Sequence, residues 1–247
     1  MRLSSGEFLA LLKRAFEGAG WKHGRYEDAA TTTWWLQIHG INWLQYLTER
    51  GPRLFESAAT VPELLLNTPS RSVLDGMRSS YLHCGAAATD LVYANACIEK
   101  LTSVETRNCL DRVMVIPGLV TLARRNASAI ARWYSRTCLH VAFIDAGATH
   151  PTYQQYLLPP MHESTTQSLF LICSLDNEGV NHYHRSIRSL DQTHTLLRSI
   201  SPEEFRQTAQ TVQTGGIELP AEAINFFNGF GNRVLVEASE QSRQGAG

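Results

Sequence analysis

The segment Thr106–Arg112 places a cysteine near an arginine, a pair that can act on phosphate groups. A thiolate that attacks phosphate needs an arginine six positions later, where it closes the same loop around the phosphate oxygens. The residue six positions after Cys109 is Val115, and Arg112 lies only three positions away. The spacing therefore excludes this reaction. No two of the five cysteines form a Cys-x-x-Cys pair, so free buried thiols are predicted.

Two histidines, His182 and His184, alternate along a predicted strand, where their imidazoles would share one face. That spacing can hold a metal, but no motif places a third ligand, for which the chain offers His162, Glu163 and His194. The arginines that follow disfavour a bound cation. We predict no metal site, and hydrogen-bonded histidines are the preferred interpretation.

His39 is the strongest candidate for acid–base chemistry. It ends a predicted helix beside Gly40, which lets the chain turn and present the imidazole to a cleft. An imidazole changes its charge near neutral pH, so it can move a proton at a reacting atom. A histidine that caps the helix is the alternative interpretation.

The polar C-terminal tail is the second candidate site. Its residues Ser239, Glu240, Ser242 and Arg243 precede Gly-Ala-Gly, a run that cannot form a packed element by itself. Such a tail either frays in solvent or docks in a cleft where its arginine and backbone amides meet an anion or a partner. We predict that these four residues bind a ligand.

Composition limits the classes of protein that could hold these residues. The 247 residues are 43% hydrophobic and 18% charged, with a net charge of −1, which excludes a disordered chain, a coiled coil and a strongly basic nucleic-acid surface. The longest mostly apolar run, Val113–Ala123, is far shorter than the ~20 residues of a membrane span. We predict a cytoplasmic protein that binds neither nucleic acid nor membrane.

Periodicity predicts helices in the first half of the chain. Apolar spacing and helix-boundary residues indicate helices over Leu3–Gly20, Tyr26–Gln37, Ile41–Leu47, Asp90–Lys100 and from Gly118 to Asn126 or Arg136. Residues 51–88 contain three prolines and are predicted as loops and short helices.

The second half of the chain is typical of strands followed by helices. Strands are predicted at Cys138–Asp145, Ser168–Leu175 and Val180–Leu190, with Pro151–Pro160 as a loop and helices opening at Ser201 and Pro220. The fold class is α+β, with an N-terminal helical bundle, a small antiparallel sheet and C-terminal helices. We predict a mainly helical region at 1–136 and a sheet region at 137–247, or one continuous domain.

The segment from His39 to Tyr46, His-Gly-Ile-Asn-Trp-Leu-Gln-Tyr, resembles a helical segment of the malate/L-lactate dehydrogenase family, the branch without a Rossmann fold. That segment reads His-Gly-hydrophobic-x-Arg-Leu-x-x-Tyr. The resemblance implies an active-site role for His39 and a carboxylate-binding arginine at the position of Trp43. The departure at Trp43 removes the group that would orient the substrate.

Both ends of the chain resemble the uncharacterised bacterial domain-of-unknown-function family DUF3726. The resemblance rests on Met1–Gly24, on Trp35–Leu44 and on the tail Val236–Gly247. It implies a soluble bacterial protein. The predicted function is binding of a small anionic metabolite or service as an accessory subunit of a metabolic enzyme. The alternative is an NAD(P)-dependent oxidoreductase with His39 as acid/base. The sequence does not indicate any other cofactor. A protein partner or a homo-oligomer is compatible with either function.

Overall fold

The computed structural model describes residues 1–44, 51, 60–158, 168–176 and 194–244, with side chains described up to residue 234. The strands are β1 (Arg2–Leu3), β2 (Glu63–Asn67), β3 (Arg71–Asp75), β4 (Leu101–Arg107), β5 (Ser128–Tyr134), β6 (Cys138–Ile144), β7 (Thr152–Leu157), β8 (Leu169–Ser174), β9 (Thr195–Ile200) and β10 (Ile217–Glu218). The helices are α1 (Ser5–Gly18), α2 (Arg25–Ile38), α3 (Gly85–Glu99), α4 (Ile116–Arg124), α5 (Pro202–Gly215) and α6 (Ala221–Gln244). The α+β class is confirmed.

Contacts divide the chain into two units, one formed by residues 1–60 and 207–247 and the other by residues 61–206. We call them the helical unit and the sheet unit. The boundary predicted at residue 136 falls inside the sheet unit. Strands β2 to β5 all precede that boundary.

The helical unit packs α1 against α2 and α6. Helix α1 begins with a capping box, in which Ser4 and Glu7 satisfy each other's backbone N–H groups. Phe8 packs edge-to-face on Phe227 with ring centroids 6.3 Å apart. Gly18 allows α1 to approach α6 closely, because a Cβ there would overlap the carbonyl of Phe230.

The sheet unit is built on eight strands in the order β2-β3-β4-β8-β5-β6-β7-β9. Strands β3 and β4 run parallel, and the other pairs are antiparallel. Helix α3 packs on β4 and β8, and α4 packs on β5 and β6. The sheet is therefore larger than the small antiparallel sheet expected from the sequence.

Several element predictions were wrong in this unit. Residues 63–75, predicted as loops and short helices, form β2 and β3, and the predicted loop after Pro151 contains β7. The predicted helix that began at Gly118 ends at Arg124, because Asn126 adopts a left-handed backbone and β5 follows. Of the predicted helix Ile41–Leu47, residues 41–43 are not helical and residues 45–47 lie outside the described residues. All of the predicted strand Val180–Leu190 also lies outside them.

Within the described ranges, every helix is too short or too polar to cross a lipid bilayer.

Candidate functional site

His39 lies where the sequence predicted, at the C-terminal end of α2. Gly40 follows with a φ of +76°, and the N–H of Ile41 donates to the carbonyl of Leu36 at 2.9 Å, which closes the helix end. His39 is only 5% exposed. Its Nδ1–H donates to the carbonyl of Trp35 at 2.7 Å, and its ring stacks on Trp35 at a centroid distance of 3.8 Å.

These contacts decide which nitrogen of His39 could react. The carbonyl of Trp35 can only accept, so Nδ1 carries the proton of the neutral ring. Nε2 is then the nitrogen that could accept a proton. The imidazole also contributes to packing, which fits the helix-capping interpretation equally well.

Trp43, at the position of the family's arginine, is part of the core of the helical unit. The side chain is 1% exposed, and its Nε1–H donates to the carbonyl of Thr33 at 2.7 Å. Its ring lies 6.5 Å from Phe227. The position therefore supplies apolar volume rather than a cation for a carboxylate.

The four tail residues predicted to bind a ligand, Ser239, Glu240, Ser242 and Arg243, continue α6, whose backbone is helical to Gln244. Their side chains lie outside the described part of the structure, so their binding role stays a prediction. His182 and His184 also lie outside the described residues. Among the residues that are described, no three His, Cys, Asp or Glu side chains cluster as metal ligands.

The sheet unit contains a second group of residues that sequence reasoning missed. It lies at the carboxyl ends of β3 and β4, the edge where parallel strands commonly bind ligands. The two loops there hydrogen-bond to each other: the N–H of Arg78 donates to the carbonyl of Asn108 at 2.8 Å, and that of Leu110 donates to Ser79 at 2.9 Å. The carboxylate of Asp75 accepts two further hydrogen bonds. Its Oδ1 accepts from the backbone N–H of Met77, and its Oδ2 accepts from the side-chain amide of Asn108.

The backbone of these loops is strained. Met77, Arg78, Asn108 and Asp111 are not glycines, yet their φ angles lie between +49° and +56°. Side chains disfavour this region of conformational space, and such residues cluster at functional sites where the surrounding structure holds them in place. Asp111 immediately precedes Arg112, so the strained turn fixes the backbone from which this arginine extends.

Arg112 is the first residue of a single 3-10 turn, Arg112–Val115, that leads into α4. The side chain is half-buried, and this burial lowers its pKa from the ordinary arginine value. A charge held in a partly desolvated position acts more strongly on its neighbours than one in water. Cys109, three residues earlier, is fully buried, and burial raises its thiol pKa well above the usual value. Cys109 is therefore a neutral thiol, unlike the thiolate of a phosphatase.

Three aromatic rings from β5, β6 and β7 stack on one another, and the charge of Arg112 acts on the middle one, His140. Trp133 and His140 are register partners whose rings are parallel at 5.1 Å, and Tyr153 stacks on both at 6.1 Å. His140 Nδ1 lies 2.8 Å from the hydroxyl of Tyr153, and Nε2 lies 2.9 Å from the Ser135 hydroxyl. Together Arg112, Trp133, Ser135, His140 and Tyr153 form what we call the Arg112 site.

The hydrogen bonds of His140 form a consistent chain. Ser135 Oγ lies 3.3 Å from the carbonyl of Cys138, which can only accept, so the Ser135 hydroxyl donates there. Nε2–H of His140 then donates to Ser135, and the Tyr153 hydroxyl donates to Nδ1. Burial, reinforced by the charge of Arg112, lowers the pKa of His140 to about 4. The imidazole is therefore neutral at physiological pH.

The fold and this site define an α+β protein with a partly buried guanidinium whose charge acts on a neutral, hydrogen-bonded histidine. A family model described as a protein of unknown function (DUF3726) matches residues 3–71, which confirms that resemblance. No curated protein matches the sequence.

Solved structures share the fold over almost the whole chain. Malate dehydrogenase from Entamoeba histolytica superposes with a TM-score of 0.69 at 11% identity, covering 94% of this chain and 97% of that one. Sulfolactate dehydrogenase from Methanocaldococcus jannaschii gives 0.60 at 12%, with the same coverages. Delta1-piperideine-2-carboxylate reductase from Pseudomonas syringae gives 0.61 at 13%, covering 93% and 99%. The expected resemblance to malate/lactate dehydrogenases is confirmed at the level of the fold.

Proposed function

We propose that the protein binds a small carboxylate metabolite at the Arg112 site. The observation that carries the proposal is the half-buried guanidinium of Arg112, which follows a strained turn and whose charge contributes, after burial, to the lowered pKa of His140. A guanidinium offers two parallel N–H donors to a carboxylate, and partial desolvation strengthens that attraction. The names of the similar structures point to the same ligand class, because malate, sulfolactate and piperideine-2-carboxylate all carry a carboxylate.

The neighbouring groups suit the remainder of such a ligand. Ser135 is partly exposed, and its hydroxyl oxygen, which already accepts from His140, could accept a second hydrogen bond from a ligand hydroxyl group. The stacked rings of Trp133 and Tyr153 are buried and keep the imidazole in one orientation. If the protein is an accessory subunit of a metabolic enzyme, carboxylate binding at the Arg112 site would regulate that enzyme. We propose a cytoplasmic location for either role.

Replacing Arg112 with glutamine should weaken carboxylate binding at least tenfold. A charge-assisted hydrogen bond contributes about 1.5–3 kcal/mol, and glutamine keeps part of the volume without the charge. The measurement is calorimetric titration of the full chain with L-malate, pyruvate and sulfolactate. Arg132→Gln is the matched control, because Arg132 lies on the same sheet but stacks against Tyr134 and Phe170. Equal losses in both variants, or no binding to the wild type, would contradict the proposal.

Hydride transfer is the second candidate function, and the fold shared with dehydrogenases favours it. In this proposal an NAD(P) cofactor supplies the hydride and His39 exchanges the proton through Nε2. Trp43 does not favour this second function, because tryptophan lacks the guanidinium with which an arginine at that position would bind and orient the substrate carboxylate.

If hydride transfer occurs, His39→Ala should abolish turnover and leave the folded state intact. The assay follows NADH and NADPH absorbance with pyruvate and oxaloacetate as acceptors, and urea unfolding is measured in parallel. The buried ring of His39 stacks on Trp35, so a structural histidine would instead lower stability without any catalytic effect. His39→Gln, which retains a hydrogen-bonding group, separates lost proton transfer from lost packing. Wild-type protein without turnover would rule out this second candidate.

A further inference from the structure

Two cysteines from different loops of the sheet unit are in contact. The Sγ atoms of Cys84 and Cys109 lie 3.9 Å apart, and both side chains are fully buried. Cys84 immediately precedes α3, and Cys109 follows β4, three residues before Arg112. Each thiol also has a carbonyl acceptor on its own loop, that of Tyr81 at 3.7 Å from Cys84 and that of Leu110 at 3.3 Å from Cys109. The two side chains are therefore free thiols that touch.

The main chain holds the two loops together at this contact. The N–H of Leu110 donates to the carbonyl of Ser79 at 2.9 Å, and the carbonyl of Leu110 accepts from the N–H of Tyr81 at 2.9 Å. The N–H of Cys84 in turn donates to the carbonyl of Tyr81 at 3.1 Å. The separation of the thiols is thus set by backbone hydrogen bonds. A disulfide needs an S–S distance of about 2.05 Å, so the sulfurs have about 1.9 Å to close.

A movement of Cys109 is passed on to Arg112. Asn108 and Asp111, on either side of Cys109, have φ angles of +49° and +51°. Few neighbouring conformations are open to such residues, so they absorb little of a displacement. Arg112 follows Asp111 directly, and its charge opposes the burial that raises the pKa of the Cys109 thiol. Drawing Cys109 towards Cys84 therefore shifts the backbone that carries the guanidinium.

We propose that hydrogen peroxide converts Cys84 and Cys109 to a reversible disulfide, and that this bond weakens ligand binding at the Arg112 site. One thiol loses its proton and attacks the peroxide, so that an S–O bond forms, the O–O bond breaks and water leaves. The second sulfur then attacks the sulfenic sulfur, the S–S bond forms, the S–O bond breaks, and the hydroxyl leaves with the second proton as water. Two thiols are oxidised by two electrons, and one peroxide is reduced to two waters. The effect on binding rests on the proposed function.

Burial makes this oxidation slow and dependent on local opening. A buried, protonated thiol reacts only when its surroundings open. Opening of the loop after β4 relieves the strain of the left-handed residues around Cys109, which lowers its cost. The exposed thiol of Cys97 on α3 has no such barrier. We therefore expect Cys97 to be oxidised first and the buried pair to follow.

Peptide mapping of the full chain tests whether the bond forms. Trypsin cleaves after Lys100 and Arg107, which places Cys84 and Cys109 on separate peptides, while Cys97 shares the peptide of Cys84. The Cys97→Ser variant removes that ambiguity. After peroxide treatment we expect a loss of two hydrogens per chain, a peptide that joins Cys84 to Cys109, and full reversal by dithiothreitol. Oxygen added to single cysteines without this joined peptide, or a pair that stays reduced, would overturn the inference.

Two variants assign the bond to this pair. Cys84→Ala and Cys109→Ala should each abolish the loss of two hydrogens in the Cys97→Ser background. Each removes one sulfur and adds no polar group to the buried contact. The joined peptide itself is read on the chain that retains both cysteines, so the bond is tested even where an alanine variant folds poorly. The same loss of hydrogens in both alanine variants would contradict the assignment.

The effect on the Arg112 site is measured in two ways on the oxidised and reduced Cys97→Ser chain. Calorimetric titration with L-malate, pyruvate and sulfolactate should give at least fivefold weaker binding after oxidation, restored by dithiothreitol. Amide chemical shifts of Leu110, Asp111 and Arg112 should differ between the two forms. The shifts need no ligand, so they distinguish a failure of the switch from a failure of carboxylate binding. Unchanged shifts, or equal affinities in the two forms, would overturn the effect on the site.

Discussion

Replacing Trp43 with alanine should cost about 3–5 kcal/mol of the free energy of unfolding, the range for a large aromatic side chain lost from a core. The side chain is 1% exposed and packs near Phe227, so its removal leaves a cavity. The carbonyl of Thr33 also loses the donor Nε1–H. Urea unfolding of the full chain measures the difference.

Three further variants identify what position 43 contributes. Trp43→Phe keeps an aromatic ring and loses the bond to Thr33, so it should cost less than the alanine. Trp43→Arg restores the residue of the dehydrogenase family, but it buries a charge among apolar groups, and we expect a loss at least as large as that of alanine. Trp34→Ala is the control, because Trp34 is only partly buried in the same unit. A stable Trp43→Arg variant that gains carboxylate binding would show that position 43 belongs to a ligand site.

The second large effect is a dependence of stability on pH that comes from His140. Its pKa is about 4 in the folded protein, below the ordinary value of 6.5. The unfolded chain therefore binds more protons between these two values, and stability falls as the pH falls from 6.5 to 4. The pKa difference corresponds to a contribution of about 3 kcal/mol to the free energy of unfolding. This contribution is present in full at neutral pH and is lost as the pH falls to 4. Urea titrations at several pH values between 7 and 4 measure the slope.

Variants of the Arg112 site assign the causes of that slope. His140→Gln removes the titrating group and should flatten the slope in this window. Tyr153→Phe removes one hydrogen bond but leaves the burial of His140 unchanged, so the slope should remain. Arg112→Gln removes the smaller, electrostatic cause and should reduce the slope only in part. Parallel pH profiles for the wild type and His140→Gln would show that His140 does not carry the effect.

Local signals in the sequence determined several helix boundaries. Ser4 with Glu7 and Ser201 with Glu204 both form the capping interactions that their spacing predicts. Gly40 terminates α2 in the left-handed region, where glycine has no Cβ to clash. These features depend on residues within one helical turn of each other, so they can be predicted without knowing the fold.

The predicted strands Cys138–Asp145 and Ser168–Leu175 were also confirmed, as β6 (Cys138–Ile144) and β8 (Leu169–Ser174). Both are continuous apolar runs, a pattern that local sequence reveals. Strand β4 carries polar residues in most positions, and β7 is rich in glutamine and tyrosine. Their extended conformation is stabilised by neighbours distant in sequence, such as β8 beside β4, and no local pattern reports that pairing.

The sequence by itself determined the α+β class, several helix boundaries and the place of His39 at the end of α2. Only the tertiary structure decided that Trp43, which stands where the resembling dehydrogenase segment has an arginine, is buried in the core of the helical unit. It also decided that Arg112, His140 and Tyr153 share one site. Their interaction depends on the register that pairs Trp133 with His140 and Ala142 with Tyr153, and on the strained turn before Arg112. Strand register and left-handed non-glycine residues are set by long-range packing, which local propensity does not encode.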